Sequence, residues 1–156
     1  MTPLAWQALA WSELTPDGVY DVLALRARVF VVDQGPYLDP DGVDRHCHHL
    51  LARLTAPLGE LPAGELVAYL RLVAPGVKYA EPSIGRVVNR TELRGSGLGH
   101  DLVARGLVVA ETVYPGRPLR ISAQAHLTRF YSRHGFMPVG QPYLEDNIPH
   151  QEMLRG

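Results

Sequence analysis

Three glycines at alternate positions, Gly95, Gly97 and Gly99, lie between a short apolar segment and a long amphipathic one. Alternating glycines suit neither a strand nor a helix, because each costs about 0.5–1 kcal/mol there relative to alanine. Glycine does let the backbone approach an anion closely, and a helix N-terminus offers unpaired N–H groups with partial positive charge. The arrangement predicts a phosphate-binding loop, and a glycine-rich turn that binds nothing is the alternative.

Two well-known phosphate loops do not fit these residues. The nucleotide P-loop ends in Gly-Lys-Ser/Thr, whereas this sequence continues from Gly99 to His100. The dinucleotide fingerprint needs a third glycine three residues after the second, and His100 occupies that position. What remains is the pattern Arg94-x-x-Gly97-x-Gly99, after an apolar segment and at the start of a helical one.

This pattern resembles the pyrophosphate loop of the GNAT acyl-CoA N-acetyltransferases. Further along, Tyr131-x-x-x-Gly135-Phe136 resembles the segment that follows the loop in that family. Two other stretches, "LRARVFVVDQGPYLDPDGVD" near the start and "YLEDNIPHQEML" near the end, are similar to the ElaA branch of the superfamily. The resemblance covers nearly the whole chain and implies an acyltransferase that uses acetyl-CoA.

The resemblance also implies where acetyl-CoA binds, namely in a V-shaped gap between the strands "SIGRVVN" and "LRISAQ", which splay apart. The backbone of the first strand is implied to pair with the pantetheine arm, and the glycine loop to hold the pyrophosphate. Gln124 stands where the family often has an asparagine that contacts the pantetheine. The implied binding residues are Val87, Val88, Asn89, Arg94, Gly95, Ser96, Gly97, Leu98, Gly99 and Gln124.

The implied reaction is direct attack of an amine, from a small molecule or a peptide, on the thioester. Tyr131 is the implied general acid, because a phenol with a pKa of about 10 is protonated at neutral pH. An ordinary core tyrosine is the alternative for Tyr131. His126 is the candidate base, since imidazole titrates near neutrality. Water or other side chains could serve instead; these are Glu65, Glu145, Asp146 and His150.

Two other functions compete with the transferase. A non-catalytic acyl-CoA sensor or partner-binding module could keep the same loop, although Tyr131 argues against it. An acyl-homoserine-lactone synthase has a similar core, but this chain lacks the greater length and the tryptophan-rich N-terminal region of those enzymes.

Two clusters suggest other chemistry. "DRHCHHL", residues 44–50, offers three histidines and a cysteine, but neighbouring strand positions point to opposite faces and no second ligand cluster follows. We therefore expect no metal. Cys47 has no identifiable base to make it a nucleophile. Arg26, Asp33 and Gln34 could line an acceptor site, with amphipathic packing as the alternative.

The predicted elements that carry these residues alternate between strands and helices. Thr15, Pro16 and Asp17 predict the start of the first helix, and residues 34–44 form a turn-rich loop. The order β-α-β-β-β-α-β-α-β-β follows, with residues 149–154 as an edge strand. We expect one GNAT domain over residues 1–156, of mixed α/β class. Its sheet has six to seven mostly antiparallel strands with splayed central strands, flanked by helices.

The bulk composition excludes several classes. A net charge of −1 offers no basic field for nucleic acid. The N-terminal residues lack the pattern of a signal peptide, and no apolar run is long enough to span a membrane. The single cysteine suits a reducing compartment, so we expect a cytoplasmic protein, as a monomer or a homodimer.

Overall fold

The computed structural model of the protein describes residues 2–35 and 37–156. The first sheet has four strands: β1, Leu4–Ala10; β2, Cys47–Leu54; β3, Leu66–Val73; and β4, Ser83–Asn89. The sheet is antiparallel, and its strands lie side by side in chain order. Every residue of β3 is buried, because helices cover both faces of this strand. Met1, the first residue of the predicted domain, and Pro36, in the predicted loop, lie outside the described residues.

Three α-helices flank the described sheets. They are α1, Pro16–Arg26; α2, Leu98–Val113; and α3, Thr128–Ser132. α1 begins as predicted, with Thr15 Oγ1 accepting a hydrogen bond from the Gly18 N–H at 2.9 Å and with Pro16 in the first turn. Beyond Arg26 the chain continues in wider π-helical turns over Ala27–Val32. No helix in residues 2–35 and 37–156 has both the length and the apolar character needed to cross a bilayer.

The second sheet corrects the expectation for the C-terminal strand. Its strands are β5, Leu119–Gln124; β6, Met137–Pro138; β7, Tyr143–Glu145; and β8, Ile148–Arg155. β8 lies inside the sheet, between β5 on one side and β6 and β7 on the other, so it is not an edge strand. The predicted order includes a strand at β6 but none at β7, which is too short to give a periodic pattern, and no local pattern indicates that β8 pairs with β5.

The two sheets meet at one end and diverge at the other. The Arg120 N–H donates to the Pro82 carbonyl at 3.1 Å, which joins the beginnings of β5 and β4. No further pairing links these two strands in the described part of the chain. A V-shaped gap therefore opens toward Asn89 and Gln124. The expected mixed α/β fold with splayed central strands is confirmed, with eight described strands in place of six or seven.

Candidate active site

A cleft of about 930 Å³ occupies the gap between β4 and β5. Its lining comes from both splayed strands, from the end of the π-helical segment and from the β7–β8 turn. Most of the residues implied by the family resemblance meet here. Those that line the cleft are Val87, Val88, Asn89, Arg94, Gln124, His126 and Tyr131.

The glycine loop, residues 94–99, needs glycine at two of its three positions. Gly95 and Gly97 have φ angles of 80° and 83°, in the left-handed region that other residues rarely adopt. A Cβ at either glycine would meet no atom within 4 Å, so the loop surface beside them is open. Gly99 has no positive φ, and a Cβ there would lie 3.6 Å from the Phe130 ring, an ordinary contact.

The loop also presents backbone N–H groups that the protein does not use. Among the described residues, the N–H groups of Gly95, Gly97, Gly99 and His100 have no acceptor. The loop is ordered instead through Ser96, whose hydroxyl donates to the Leu93 carbonyl at 2.6 Å. Converging free donors at the start of α2 are suited to an anion such as a diphosphate. Leu98 lies buried beneath them as the first residue of α2.

β4 carries a bulge that turns part of its backbone into the cleft. Arg86 and Val87 together lie opposite the single residue Leu70 of β3, and Arg86 has a φ of 50°. The Arg90 N–H donates to the Val67 carbonyl at 2.8 Å. Antiparallel alternation then directs the backbone of Val88 toward β3, and that of Val87 and Asn89 toward the cleft. Of the three residues whose backbone is predicted to pair with the pantetheine arm, only Val87 and Asn89 therefore have backbone groups directed into the cleft.

Tyr131 is a buried side chain whose hydroxyl is unpaired. The residue is 8% exposed and packs edge-on against Phe130 and Phe136, at ring-centroid distances of 5.0 and 6.0 Å. Within the described residues its hydroxyl has no hydrogen-bond partner, although buried tyrosines usually find one. Burial raises the pKa of Tyr131 well above its usual value of 10. The phenol is therefore protonated and able to donate a proton into the cleft that it lines.

β5 separates two environments across its faces. Ile121 and Ala123 face the core beneath α2, while Ser122 and Gln124 point to the opposite face, toward the end of the π-helical segment. There the Gln124 side-chain amide donates to Gln34 Oε1 at 3.1 Å. His126 follows β5 in a single exposed turn, and its ring makes no hydrogen bond within the described part of the chain.

Sequence reasoning missed a buried group of opposite charges beside the cleft. We call Arg26, Arg71, Arg86, Asp39, Asp41 and Asp44 the Arg–Asp cluster. Arg26 donates to Asp44 at 2.6 Å, Arg71 to Asp41 at 2.7 Å and Arg86 to Asp39 at 2.9 Å. Arg26 also lies 2.9 Å from Asp39 through its Nε, at an angle too poor for a hydrogen bond.

The cluster fixes the charge state of its members. Burial alone would raise the pKa of Asp41 and of Asp44, but hydrogen bonds and positive charge from Arg71 and Arg26 hold both pKa values below the usual range. Arg26 is 0% exposed and does not line the cleft, so it serves the interior and not an acceptor site. One signal pointed to it: Arg26 is the polar member of an otherwise apolar helix face.

The other candidate residues differ in whether they line the cleft. The cleft is lined by Asp33, Gln34, Glu145, Asp146 and His150. Glu65 lies elsewhere, paired with Arg90 at 3.1 Å. Burial raises the pKa of the Cys47 thiol to about 12, so it stays neutral and is a poor nucleophile. In residues 2–35 and 37–156, no three His, Cys, Asp or Glu side chains gather as metal ligands would.

Comparison with known proteins agrees with this geometry. The family described as "Acetyltransferase (GNAT) domain" matches residues 63–155. Protein ElaA of Escherichia coli is 39% identical over 155 residues, which cover 97% of this chain and 96% of that protein.

Two crystal structures share the whole architecture. An acyl-CoA N-acyltransferase from Pseudomonas aeruginosa is 43% identical, with a TM-score of 0.88, and the match covers 98% of this chain and 99% of that one. The structure of Escherichia coli ElaA gives a TM-score of 0.86 at 38% identity, with the same coverage. The family match, the near-complete relatives and the splayed fold lead to one assignment: the chain belongs to the GNAT acyltransferase family, in its ElaA-like branch.

Proposed function

We propose that the protein is an acetyl-CoA-dependent N-acetyltransferase, in which an amine attacks the thioester directly. The acceptor amine belongs to a small molecule or a peptide. One observation carries the proposal: Tyr131, a buried residue whose hydroxyl has no partner among the described residues, lines the same cleft as Arg94, where the glycine loop with its unused N–H groups begins. An available acid beside free anion donors suits a reaction that expels a thiolate from a diphosphate-bearing donor.

The residues of this chain fit such a donor. The surface at Gly95 and Gly97 is open, because a Cβ at either position would meet no protein atom within 4 Å. A diphosphate can therefore approach the backbone there, and a side chain at either position would occupy that space. Arg94 adds a positive charge at the edge of the cleft. The backbone of Val87 and Asn89 offers strand-like pairing to the amide-bearing arm. Gln124 lies across the gap and already engages Gln34, so its contact with the arm needs that bond to be exchanged.

The chemistry asks little of the protein beyond position and charge. The Val87 N–H is directed into the cleft and is the donor we assign to the carbonyl oxygen as it gains negative charge. Tyr131 gives its proton to the departing sulfur. His126 lines the same cleft and is a candidate for proton removal from the amine, although no hydrogen bond within residues 2–35 and 37–156 orients its ring.

Thiol release tests the proposal. We expect the protein, incubated with acetyl-CoA and a panel of amines, to release free thiol with at least one acceptor. Parallel reactions with longer acyl-CoA donors test the preference for acetyl. If none of the amines causes thiol release although acetyl-CoA binds tightly, the result would instead favour a non-catalytic acyl-CoA sensor or partner-binding module.

Tyr131→Phe tests the acid. Loss of a general acid lowers rates by about 10²–10⁴-fold, so kcat should fall by that order while calorimetry finds the acetyl-CoA affinity unchanged. Tyr20→Phe is the matched control, because Tyr20 is exposed on α1 and does not line the cleft. An unchanged kcat in Tyr131→Phe would exclude the acid role.

A further inference from the structure

We propose that His150 is the general base that takes the proton from the attacking amine. This inference rests on the proposed function and names a residue that would act directly on the acceptor. His150 lines the cleft from β8, yet the residue is only 8% exposed. A histidine so buried at the wall of a reaction cleft has little freedom to turn, which is what a base of fixed direction requires.

Two contacts orient the imidazole ring. Nδ1 lies 2.7 Å from the Ile148 carbonyl oxygen, and because a carbonyl only accepts, Nδ1 carries the hydrogen. The neutral ring then has its lone pair on Nε2. The ring also stacks on Tyr143, at a centroid distance of 6.1 Å and an interplanar angle of 26°. The hydrogen bond selects the tautomer and the stack fixes the plane.

The position of His150 complements that of Tyr131. His150 lies directly opposite Gln124 in the β5–β8 ladder, so the two side chains share one face of the sheet. Tyr131 belongs to the core on the other face, with Ile121 and Phe136. The base and the acid therefore approach the cleft from opposite faces of the second sheet. One face can then serve the incoming amine and the other the outgoing sulfur.

Glu145 supplies the charge that a base of this kind needs. Its Oε2 lies 3.5 Å from His150 Nε2, too far for a strong hydrogen bond but near enough to stabilise an imidazolium. Glu145 is 52% exposed, so the proton has a route from the ring to solvent. Around the ring, Tyr143 and Glu145 on β7 and Gln124 on β5 are the facing polar groups. His126 has no comparable partner among the described residues.

The proton balance of the reaction is complete with these groups. An acceptor that arrives as an ammonium gives one proton to His150 Nε2, which returns it to solvent past Glu145. The neutral amine then attacks, the new C–N bond forms, the C–S bond breaks and the nitrogen releases its second proton to solvent. The sulfur leaves with the bonding electron pair and takes the proton of Tyr131, which regains one from solvent. The net products are an amide, a free thiol and, from an ammonium, one proton.

Two acceptors that differ in basicity separate a base from a structural residue. One is an alkylamine accepted by the wild-type protein, which is protonated at neutral pH. The other is the same amine with three fluorine atoms on the second carbon from nitrogen, which is unprotonated at neutral pH. We expect His150→Ala to lower kcat/KM by about 10²–10⁴-fold with the alkylamine, and by a much smaller factor with the fluorinated amine. Added imidazole should restore part of the rate in His150→Ala.

The controls keep the assignment falsifiable if folding is disturbed. His150→Asn retains an N–H donor at the position of Nδ1 for the Ile148 carbonyl and should show the same selective loss. Acetyl-CoA affinity by calorimetry should match the wild type in both variants. His46→Ala, on an exposed turn away from the cleft, should leave all rates unchanged.

Each outcome of these measurements either supports or contradicts the assignment of His150 as the base. Equal losses on both acceptors, an unchanged rate in both His150 variants, or the selective loss appearing in His126→Ala instead would overturn the assignment of His150 alone. A wild-type protein that releases no thiol with any amine contradicts the proposed function itself, and the assignment of a base is then wrong as well.

Discussion

The glycine loop and the Arg–Asp cluster lie at two sides of one cleft and are built in opposite ways. The loop is six consecutive residues with several unused N–H groups and an open surface. The cluster joins side chains between 13 and 47 residues apart and pairs nearly all of its charge internally. A site that binds an anion has to leave donors unpaired, whereas buried charges that form a wall must satisfy one another. The anion-binding loop is therefore polar and unpaired, whereas the neighbouring wall of the cleft is polar and internally paired.

The largest effect is expected from breaking the cluster. Arg26→Met removes the fully buried partner that Asp39 and Asp44 share and leaves them only Arg86 and Arg71. This should lower the free energy of unfolding by about 3 kcal/mol. Chemical denaturation measures this loss. Arg53→Met is the matched control, since the Arg53–Asp21 pair is partly exposed and should contribute less than about 1 kcal/mol. Similar losses of unfolding free energy in the two variants would mean that the Arg–Asp cluster stabilises the fold no more than a partly exposed ion pair does.

A smaller effect, on binding, is expected from Gly97→Glu. The new side chain puts a negative charge beside the free N–H groups, so acetyl-CoA affinity should fall by about 100-fold, or about 2.7 kcal/mol. Calorimetry measures the affinity. Gly116→Glu is the control for backbone strain, because Gly116 has a φ of 72° in a turn that does not line the cleft. Wild-type affinity in Gly97→Glu would exclude the loop as the diphosphate site.

Acid should weaken the cluster before it affects the loop. Asp41 and Asp44 have pKa values lowered from an ordinary value of 3.8, so their stabilising contribution is present above that pH. It is lost as the pH falls below about 4 toward the lowered values, because the folded state then has to accept protons that the unfolded chain already carries. Unfolding free energies measured between pH 6 and pH 2 should show this decline. Asp44→Asn should flatten it, and an unchanged slope in that variant would contradict the assignment.

The smallest effect is expected at the third glycine of the loop. Gly99→Ala adds a methyl group in the first turn of α2, at an ordinary distance from Phe130 and with no backbone strain. We expect the stability to change by no more than about 1 kcal/mol, toward greater stability, and acetyl-CoA affinity to stay within a few-fold of wild type. Thermal melting and calorimetry test both. A large loss of acetyl-CoA affinity would mean that the binding site has no room for a side chain at position 99 either.

The same contrast explains what the sequence could reveal. The loop was predictable because its six residues carry all of its chemistry, and Tyr131 followed from an adjoining motif. The cluster was not, because "DPDGVD" indicates only a turn until α1, β3 and β4 bring three arginines to it. β8 is an inner strand and not the predicted edge strand for a related reason: its pairing with β5 joins distant parts of the chain, and β7 is too short to recognise. The orientation of His150 depends on pairing between β5 and β8, which no local pattern encodes.

Among the described residues, one backbone hydrogen bond, from Arg120 to Pro82, links β5 to the start of β4. Two half-sheets whose backbones are joined only at one end gain cohesion from any molecule that hydrogen bonds to both of them along the opening. Folding and occupancy of the cleft are then thermodynamically linked, and a ligand at 100 times its Kd adds about 2.7 kcal/mol to the free energy of unfolding. The supply of such a molecule in the cell would set how long this chain stays folded, in addition to how fast it works.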